Sequence, residues 1–296
     1  MTHDICGSRI LITGGNGFIA RHLIKRLESL RCDVTSLSRT GNQSGKLQLD
    51  LTDCKQVKSL IAHERFDYVV HTAGVIDQGV RQGIYREQFS AHVEATINLV
   101  ENLNLESLRR FIHIGSNAEY GSVACPQSMD GPTRPNSAYG ASKLAASSLV
   151  MAKVSSEGLK ATVVRPFLVY GPGQSDKSFL ASALRAAKGG GDFPTTLGLQ
   201  TRDFTPVDLV VDDILRAASS PDSVGKIVNS CTGHPIMIRN ALEMLASLRP
   251  AFRPVFGAVP YRASELMDSY GIPYTSITVE QAKVYLGEFM SAALSS

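Results

Sequence analysis

The amino-acid sequence predicts an α/β fold, a doubly wound parallel sheet followed by a small mixed α/β lobe. Three observations carry that expectation. An apolar run at residues 10–12 breaks into glycines and restarts as a helix near Phe18. Short apolar segments then alternate with helical periodicity up to about residue 173, the pattern of strands linked by crossover helices. Beyond that point the alternation weakens. The chain's 296 residues suffice for one large or two modest domains with a substantial core.

The first stretch, R-I-L-I-T-G-G-N-G-F-I-A at residues 9–20, gives each small residue a physical task. Gly14 permits a tight turn off the strand, Gly17 lets backbone N–H groups approach a pyrophosphate, and Ala20 lets the new helix pack closely on the sheet. The helix opens at Phe18 and Ile19 with its positive end toward the phosphates. A glycine-rich turn after a strand and before a helix is the context that a dinucleotide site requires.

Residues 33–37 end in Ser38-Arg39-Thr40. An acid at this point takes both ribose hydroxyls of NAD, whereas arginine suits a 2′-phosphate, so NADP(H) is favoured and NAD(H) is the alternative. Residues 47–51 form a short strand in which Asp50, beside Leu51, is placed to accept from the adenine amine, and Thr52 or Asp53 caps the next helix. Residues 68–71 form a buried strand followed by Thr72, Ala73 and Gly74, small residues where backbone passes close to the cofactor. His71 at that strand's end is read as structural. A long helix spans 87–103, and residues 111–115 form a strand that delivers Ser116 at its carboxyl end, where open parallel sheets bind ligands. Residues 117–121 turn, residues 131–137 form a loop rich in Pro, Asn and Thr, and a helix begins at Tyr139.

Tyr139 and Lys143 are four apart and share one helix face. A free tyrosine has a pKa of about 10; an adjacent ammonium is expected to lower it, so that the pair exchanges a proton with a substrate oxygen while Ser116 hydrogen-bonds the same oxygen. A strand at 161–165 then runs into Pro166. Further on are expected a helix at 179–188, a flexible break at 189–191, a strand-like entry at 200–204 to a helix at 207–219, a strand at 226–229 and a helix at 238–248. The expected division is 1–173 for the dinucleotide-binding domain with the catalytic residues and 174–296 for a substrate lobe, with parts of 200–240 returning to the first domain.

Composition narrows the class. Net charge is +3, with 30 basic and 27 acidic residues and no long basic run, so neither nucleic acid nor an anionic membrane is an expected partner. The N-terminus lacks the basic and apolar regions of a secretory signal, and no apolar run approaches the ~18–20 residues that span a bilayer. Cys6, Cys32, Cys54, Cys125 and Cys231 are scattered without a C-x-x-C pair. They suit reduced thiols in a cytoplasmic protein, and no metal site is expected.

Motifs run over most of the length: T-G-G-N-G-F-I at 13–19, D-L-T-D at 50–53, V-V-H-T-A-G at 69–74, G-S-x-x-E-Y-G at 115–121, Y-G-A-S-K at 139–143, R-P-F-x-V-Y-G-P-G at 165–173 and R-D-F-x-x-V at 202–207. In order and spacing they resemble the extended short-chain dehydrogenase/reductases, the NAD-dependent epimerase/dehydratase family. The resemblance implies a Rossmann domain with a C-terminal substrate domain that takes a nucleotide-linked sugar. It implies that Ser116, Tyr139 and Lys143 are the catalytic set, that Tyr139 and Lys143 also face the cofactor with Pro166 close by, and that Asn117 lies beside the substrate. Arg202 falls where the family contacts the nucleotide, and Arg262 resembles an arginine that grips the diphosphate. Family members are often homodimers.

Departures from the pattern refine the expectation. The family's 4,6-dehydratases carry an Asp-Glu pair where this chain has Asn117-Ala118, which argues against water elimination. Ser38-Arg39 resembles the NADP-linked reductases. His92 replaces a common Asn, Leu168 replaces another, and the closing segment is short, with Leu286-Gly287 as its remnant. The resulting expectation is an NADPH-dependent reductase of a 4-keto sugar nucleotide, from deoxysugar biosynthesis. The alternatives are an NAD-dependent 4-epimerase with the same triad, a reductase of a non-sugar carbonyl, and a dinucleotide-sensing protein without catalysis.

Overall fold

A computed structural model describes residues 5–40 and 46–295 of the protein; residues 1–4, part of the stretch read for a secretory signal, lie outside the described residues. Strand β1 (Arg9–Thr13) is buried from its second residue on, as a strand covered on both faces must be. Helix α1 (Phe18–Ser29) turns Ala20, Leu23 and Leu27 inward, and β2 (Asp33–Ser38) follows. The next strand, expected over 47–51, is the shorter β3 (Lys46–Gln48). Asp50 bends the chain there by accepting from the Thr52 amide (3.0 Å) and hydroxyl (2.8 Å). Asp53 then caps α2 (Cys54–Ile61) by accepting from the Lys55 and Gln56 amides, a contact of about 1 kcal/mol. Strand β4 (Tyr68–His71) comes next.

The helix expected at 87–103 starts earlier and is divided. It runs as α3 (Ile84–Phe89), one π turn over Ser90–Glu94, and α4 (Ala95–Asn102). Strand β5 (Arg110–Ile114) is wholly buried and leads to a short 3₁₀ turn at Asn117–Glu119. Helix α5 (Ala138–Glu157) is capped by the Ser137 hydroxyl, which accepts from the Gly140 amide, and ends at Gly158 in the left-handed region, a common helix stop. Strand β6 (Ala161–Pro166) is buried throughout.

The rest of the chain contains β7 (Leu168–Tyr170), α6 (Phe179–Gly189), β8 (Gly191–Thr195), β9 (Thr201–Arg202), β10 (Phe204–Pro206), α7 (Val207–Ser219) and β11 (Lys226–Ser230). It closes with β12 (Ile236–Met237), α8 (Ile238–Leu248), β13 (Phe252–Phe256), β14 (Asp268–Ser269) and α9 (Val279–Ser295). The break expected at 189–191 is short, because residues from Gly191 on find a partner: β8 pairs in parallel with β13, and Phe193 packs on Phe252 with ring centroids 5.6 Å apart. The closing segment is a helix that buries Leu286 and Met290.

Two units result. The first takes residues up to Ser122, Pro132–Pro166 and Val211–Val228; the second takes Val123–Gly131, Phe167–Val210 and the chain from Asn229. In the first, seven strands lie in the order β11-β6-β5-β4-β1-β2-β3, with parallel pairing from β6 across to β3. This is the Rossmann arrangement. The chain winds outward from β1 through β2 to β3, then crosses to β4 and winds the other way. The carboxyl ends of β1 and β4 therefore border the switch point where such sheets bind ligands. Its core joins Leu11, Leu37, Val69, Phe111 and Val163 of the strands to Val57, Leu99 and Val150 of the helices, each contributing about 1.5–3 kcal/mol. The second unit has its own core, with Leu180 and Leu184 of α6, Leu242 and Leu245 of α8, and Leu286 and Met290 of α9 around Tyr170 and Phe252. Among the described residues no helix is long and apolar enough to cross a membrane.

Candidate active site

The glycine turn is held against the end of β4. Gly14 has φ +73°, and a Cβ there would stand 2.7 Å from the Ala73 Cα; only glycine satisfies both demands. The Thr72 hydroxyl donates to the Thr13 carbonyl (2.6 Å), and the Ala73 amide donates to the Thr13 hydroxyl (3.3 Å). On the other side the Asn16 amide donates to Ser38 Oγ (3.0 Å). Three strand ends are thus tied around the exposed start of α1 at Gly17, with Phe18 and Ile19 half-buried behind it. Arg39 stands exposed at the end of β2. The hydrogen bond from the Thr52 amide lowers the Asp50 pKa against the opposing effect of burial, with smaller contributions from the Thr52 hydroxyl and the Arg39 charge. Leu51 points into the core, and its carbonyl accepts from the Asn98 side chain (2.8 Å). Pro166 is buried at the end of β6. This cradle of glycine backbone, helix N-terminus and arginine has the donor set that a dinucleotide's phosphates need.

One strand further, Ser116, Tyr139 and Lys143 come together at the end of β5, all buried. The Ser116 hydroxyl accepts from the Ala118 amide (3.1 Å). Lys143 Nζ donates to the Ile114 carbonyl (2.7 Å). A lysine that depresses the tyrosine pKa is the sequence expectation, and the structure corrects it. Burial pushes Tyr139 up to about 12, a hydrogen bond with the Ser116 side chain pulls it down, and the Glu119 charge adds to the rise. Burial lowers Lys143 to about 8, opposed by Glu119. Desolvation, which disfavours a phenolate, is the largest of these effects on Tyr139. Tyr139 is accordingly a protonated phenol at neutral pH.

A directed hydrogen-bond chain connects this corner to the cradle. The Val75 amide donates to His92 Nε2 (3.2 Å), which leaves Nδ1 to donate to Ser142 Oγ (2.8 Å); Ser142 donates on to the Tyr139 carbonyl (2.9 Å). The His92 ring also meets the Tyr139 ring edge-on at 5.6 Å. His71 lies between Thr13 Oγ1 (2.7 Å) and Thr96 Oγ1 (3.1 Å), and Thr96 donates to the His92 carbonyl (2.5 Å). Burial and the Lys143 charge bring both histidines down to about 3. Both are neutral hydrogen-bonding groups with tautomers fixed by their partners.

The arginines expected at the substrate lie in the second unit. Arg202 is half-buried and ion-paired with Glu265 (2.5 Å), and it also donates to the Thr201 carbonyl (2.7 Å). Arg262 is exposed, and its carbonyl accepts from the Glu265 amide (3.0 Å). Asn117 starts the 3₁₀ turn after Ser116. Among the described residues no three His, Cys, Asp or Glu side chains gather as a metal would need.

Residues 10–231 match the model of the NAD dependent epimerase/dehydratase family. The chain belongs to that family. It is an NAD(P)-dependent oxidoreductase of the extended short-chain type, and a nicotinamide dinucleotide is its cofactor. It is 33% identical over 255 residues to a dTDP-6-deoxy-L-talose 4-dehydrogenase (NAD(P)(+)) of Kitasatospora kifunensis, covering 80% of this chain and 78% of the relative. It is 30% identical over 257 residues to a GDP-6-deoxy-D-mannose reductase of Pseudomonas aeruginosa, covering 81% and 80%. The structure of RMD from Pseudomonas aeruginosa complexed with NADPH superimposes with a TM-score of 0.79 at 26% identity, over 97% of this chain and 98% of that one. Glu119, Arg165 and Ser142 also border this corner, outside the set that the motifs single out. The signal for Glu119 was present in the S-x-x-E spacing of Ser116 and Glu119, the signature of a capping box.

Proposed function

We propose that the protein is an NADPH-dependent reductase of a 4-keto sugar nucleotide, with a 4-keto-6-deoxyhexose as the sugar. The observation that carries this reading is the buried Ser116–Tyr139–Lys143 corner, in which Tyr139 holds its proton with a pKa of about 12. Reduction of a ketone adds a hydride to carbon and a proton to oxygen, and a phenol kept protonated is a proton donor. The bound dinucleotide supplies the hydride. Tyr139 gives its hydroxyl proton to the carbonyl oxygen as the C=O becomes an alcohol, and Ser116 donates a hydrogen bond to that oxygen. Lys143, at about 8, stabilises the phenolate left behind and passes a proton back. Both curated relatives described above act on 6-deoxy sugar nucleotides by name, and one names the 4-position.

NADPH is favoured over NADH because Ser38-Arg39 ends β2 without an acid, and a guanidinium matches a 2′-phosphate. Gly17 with Phe18 and Ile19 would face the pyrophosphate, Asp50 and Leu51 the adenine, and Thr72, Ala73 and Pro166 the nicotinamide half. Arg202 and Arg262 are assigned to the substrate's phosphates, with Asn117 beside the sugar. A homodimer is the expected assembly, read by size measurement in solution.

The test begins with the purified protein, from which any dinucleotide is released by denaturation and identified. The expected result is reversible uptake with preference for NADPH, followed by oxidation of NADPH when a 4-keto-6-deoxyhexose nucleotide is added. Stoichiometric NAD kept through purification, with interconversion of 4-epimers and no net oxidation of cofactor, would overturn the reductase in favour of the epimerase.

A further inference from the structure

One buried carboxylate lies outside the chemistry above and touches most of what supports it. Glu119 is fully buried, and its Oε1 accepts from the Ser116 amide (2.8 Å) and from the Ser147 hydroxyl (3.0 Å). Its Oε2 accepts from Arg165 Nε and Nη2, both at 2.8 Å. The Arg165 guanidinium is buried as well and lies over the Tyr120 ring, 4.5 Å from its centroid. One side chain therefore fastens the end of β5, the 3₁₀ turn, helix α5 one turn beyond Lys143, and β6. The backbone is shaped to admit it: a Cβ at Gly115 would stand 2.3 Å from Glu119 Oε1.

A buried ion pair is poor evidence for stability, since well-packed apolar residues of the same volume often serve as well. The pairing here has a more local consequence. Ser116 is the N-cap of the turn, in an extended conformation, and both halves of a capping box are present: the Ser116 side chain accepts from backbone, and Glu119 accepts from the Ser116 amide. The Ser116 hydroxyl oxygen is thereby engaged by the Ala118 amide (3.1 Å), and its O–H is directed to Asn117 Oδ1 (3.5 Å). Without an acceptor at 119, the Ser116 amide is a buried donor with no partner, and the turn that aims the hydroxyl loses its fixed form.

We infer that Glu119 is a positioning residue for the reaction: it holds Ser116 in the conformation that orders the substrate oxygen, and Arg165 serves to keep that carboxylate buried. The inference rests on the proposed carbonyl chemistry at Ser116. It applies to reduction and to epimerisation alike, because either reaction uses the same oxygen.

Two double variants separate positioning from charge burial. In E119Q/R165M both charges are removed, and the glutamine carbonyl still accepts from the Ser116 amide. In E119L/R165M that acceptor is lost. Folding is followed by circular dichroism and melting, NADPH affinity by nicotinamide fluorescence, and kcat and KM on the sugar nucleotide that the wild type turns over. E119Q/R165M is expected to keep kcat within about threefold of wild type. E119L/R165M is expected to lose about 10- to 100-fold in kcat, the scale of an ångström-sized misplacement, with NADPH affinity and KM within about threefold. Equal kcat in the two variants overturns the inference. So does a loss above about tenfold in E119Q/R165M, a result that stands even where E119L/R165M fails to fold. Which reaction the wild type performs tests the proposed function separately, because the inference is read from rates relative to wild type and between variants, whichever reaction that is.

Discussion

Tyr139 and Arg202 are both singled out by motif, and the structure holds them in different ways. Tyr139 sits in a buried corner where neighbouring polar groups have directed partners: the His92–Ser142 chain reaches its backbone, Ser116 meets its side chain, and Glu119 fixes Ser116. Arg202 lies on a two-residue strand with its side chain 19% exposed and its Nη2 bound to Glu265, a residue of the same unit. Groups that act on a reacting bond gain from being fixed before the substrate arrives. A group that grips a charged ligand instead gains from a partner it can exchange, since charge-assisted pairs of similar strength trade without leaving a bare charge. The first region is pre-organised; the second, under the proposed role of Arg202, would exchange Glu265 for a phosphate.

The comparison breaks most readily at its fixed end. Tyr139→Phe removes the hydroxyl proposed to protonate the substrate oxygen and leaves the ring packing in place. Turnover is expected to fall by about 10²- to 10⁴-fold, with NADPH affinity changed less than about twofold. Steady-state rates alongside a fluorescence titration measure both, and a variant with wild-type turnover would remove Tyr139 from the mechanism. At the exchanging end the effect moves to binding. Arg202→Ala is expected to raise KM for the sugar nucleotide by about 10- to 100-fold, the scale of a lost charge-assisted hydrogen bond, with kcat nearly constant. Glu265→Gln is expected to lower KM, because the guanidinium no longer leaves an ion pair to meet a phosphate. An unchanged KM in both would show that Arg202 is structural. A smaller effect belongs to the link between cradle and corner. His92→Leu is expected to cost about five- to tenfold in kcat, whereas His92→Asn, which keeps an acceptor and a donor, is expected to recover part of the loss.

The sheet and the candidate corner were legible because the signals were local. The β1 turn shows in Gly14 and Gly17, β4 and β5 in short apolar runs, and the Tyr139/Lys143 pair in the four-residue spacing of one helix face. What escaped depends on tertiary partners. Residues 191–195 follow a run of glycines, and they form β8 only because Phe252–Phe256 lies alongside. The π turn at Ser90–Glu94 has no sequence signature, yet it contains His92, and His92 acquires its role through Val75 and Ser142, 17 and 50 residues away. The sign of the Tyr139 shift also escaped. Spacing reveals that a lysine is near, but burial decides which way the pKa moves, and burial belongs to the folded core. For the same reason the reach of Arg165 to Glu119, 46 residues apart, cannot be read along the chain.

That dominance of burial makes a further prediction about stability. Lys143 is held at about 8 in the folded protein, against about 10.4 for an unfolded lysine. Between those values the unfolded chain binds the extra proton, so stability rises with pH across the window. Below pH 8 the penalty for keeping the buried ammonium is fully present, at about 3 kcal/mol. Lys143→Met removes that penalty and also the hydrogen bond to the Ile114 carbonyl, which contributes about 1–2 kcal/mol. The variant is therefore expected to be more stable than wild type by about 1–2 kcal/mol at pH 7, and no more stable at pH 10, where wild-type Lys143 is already neutral. Denaturant titrations at the two pH values give the comparison directly. A stability difference that does not change with pH would mean that Lys143 titrates as an exposed lysine does, and the fixed corner would then lose its distinction from the arginine segment.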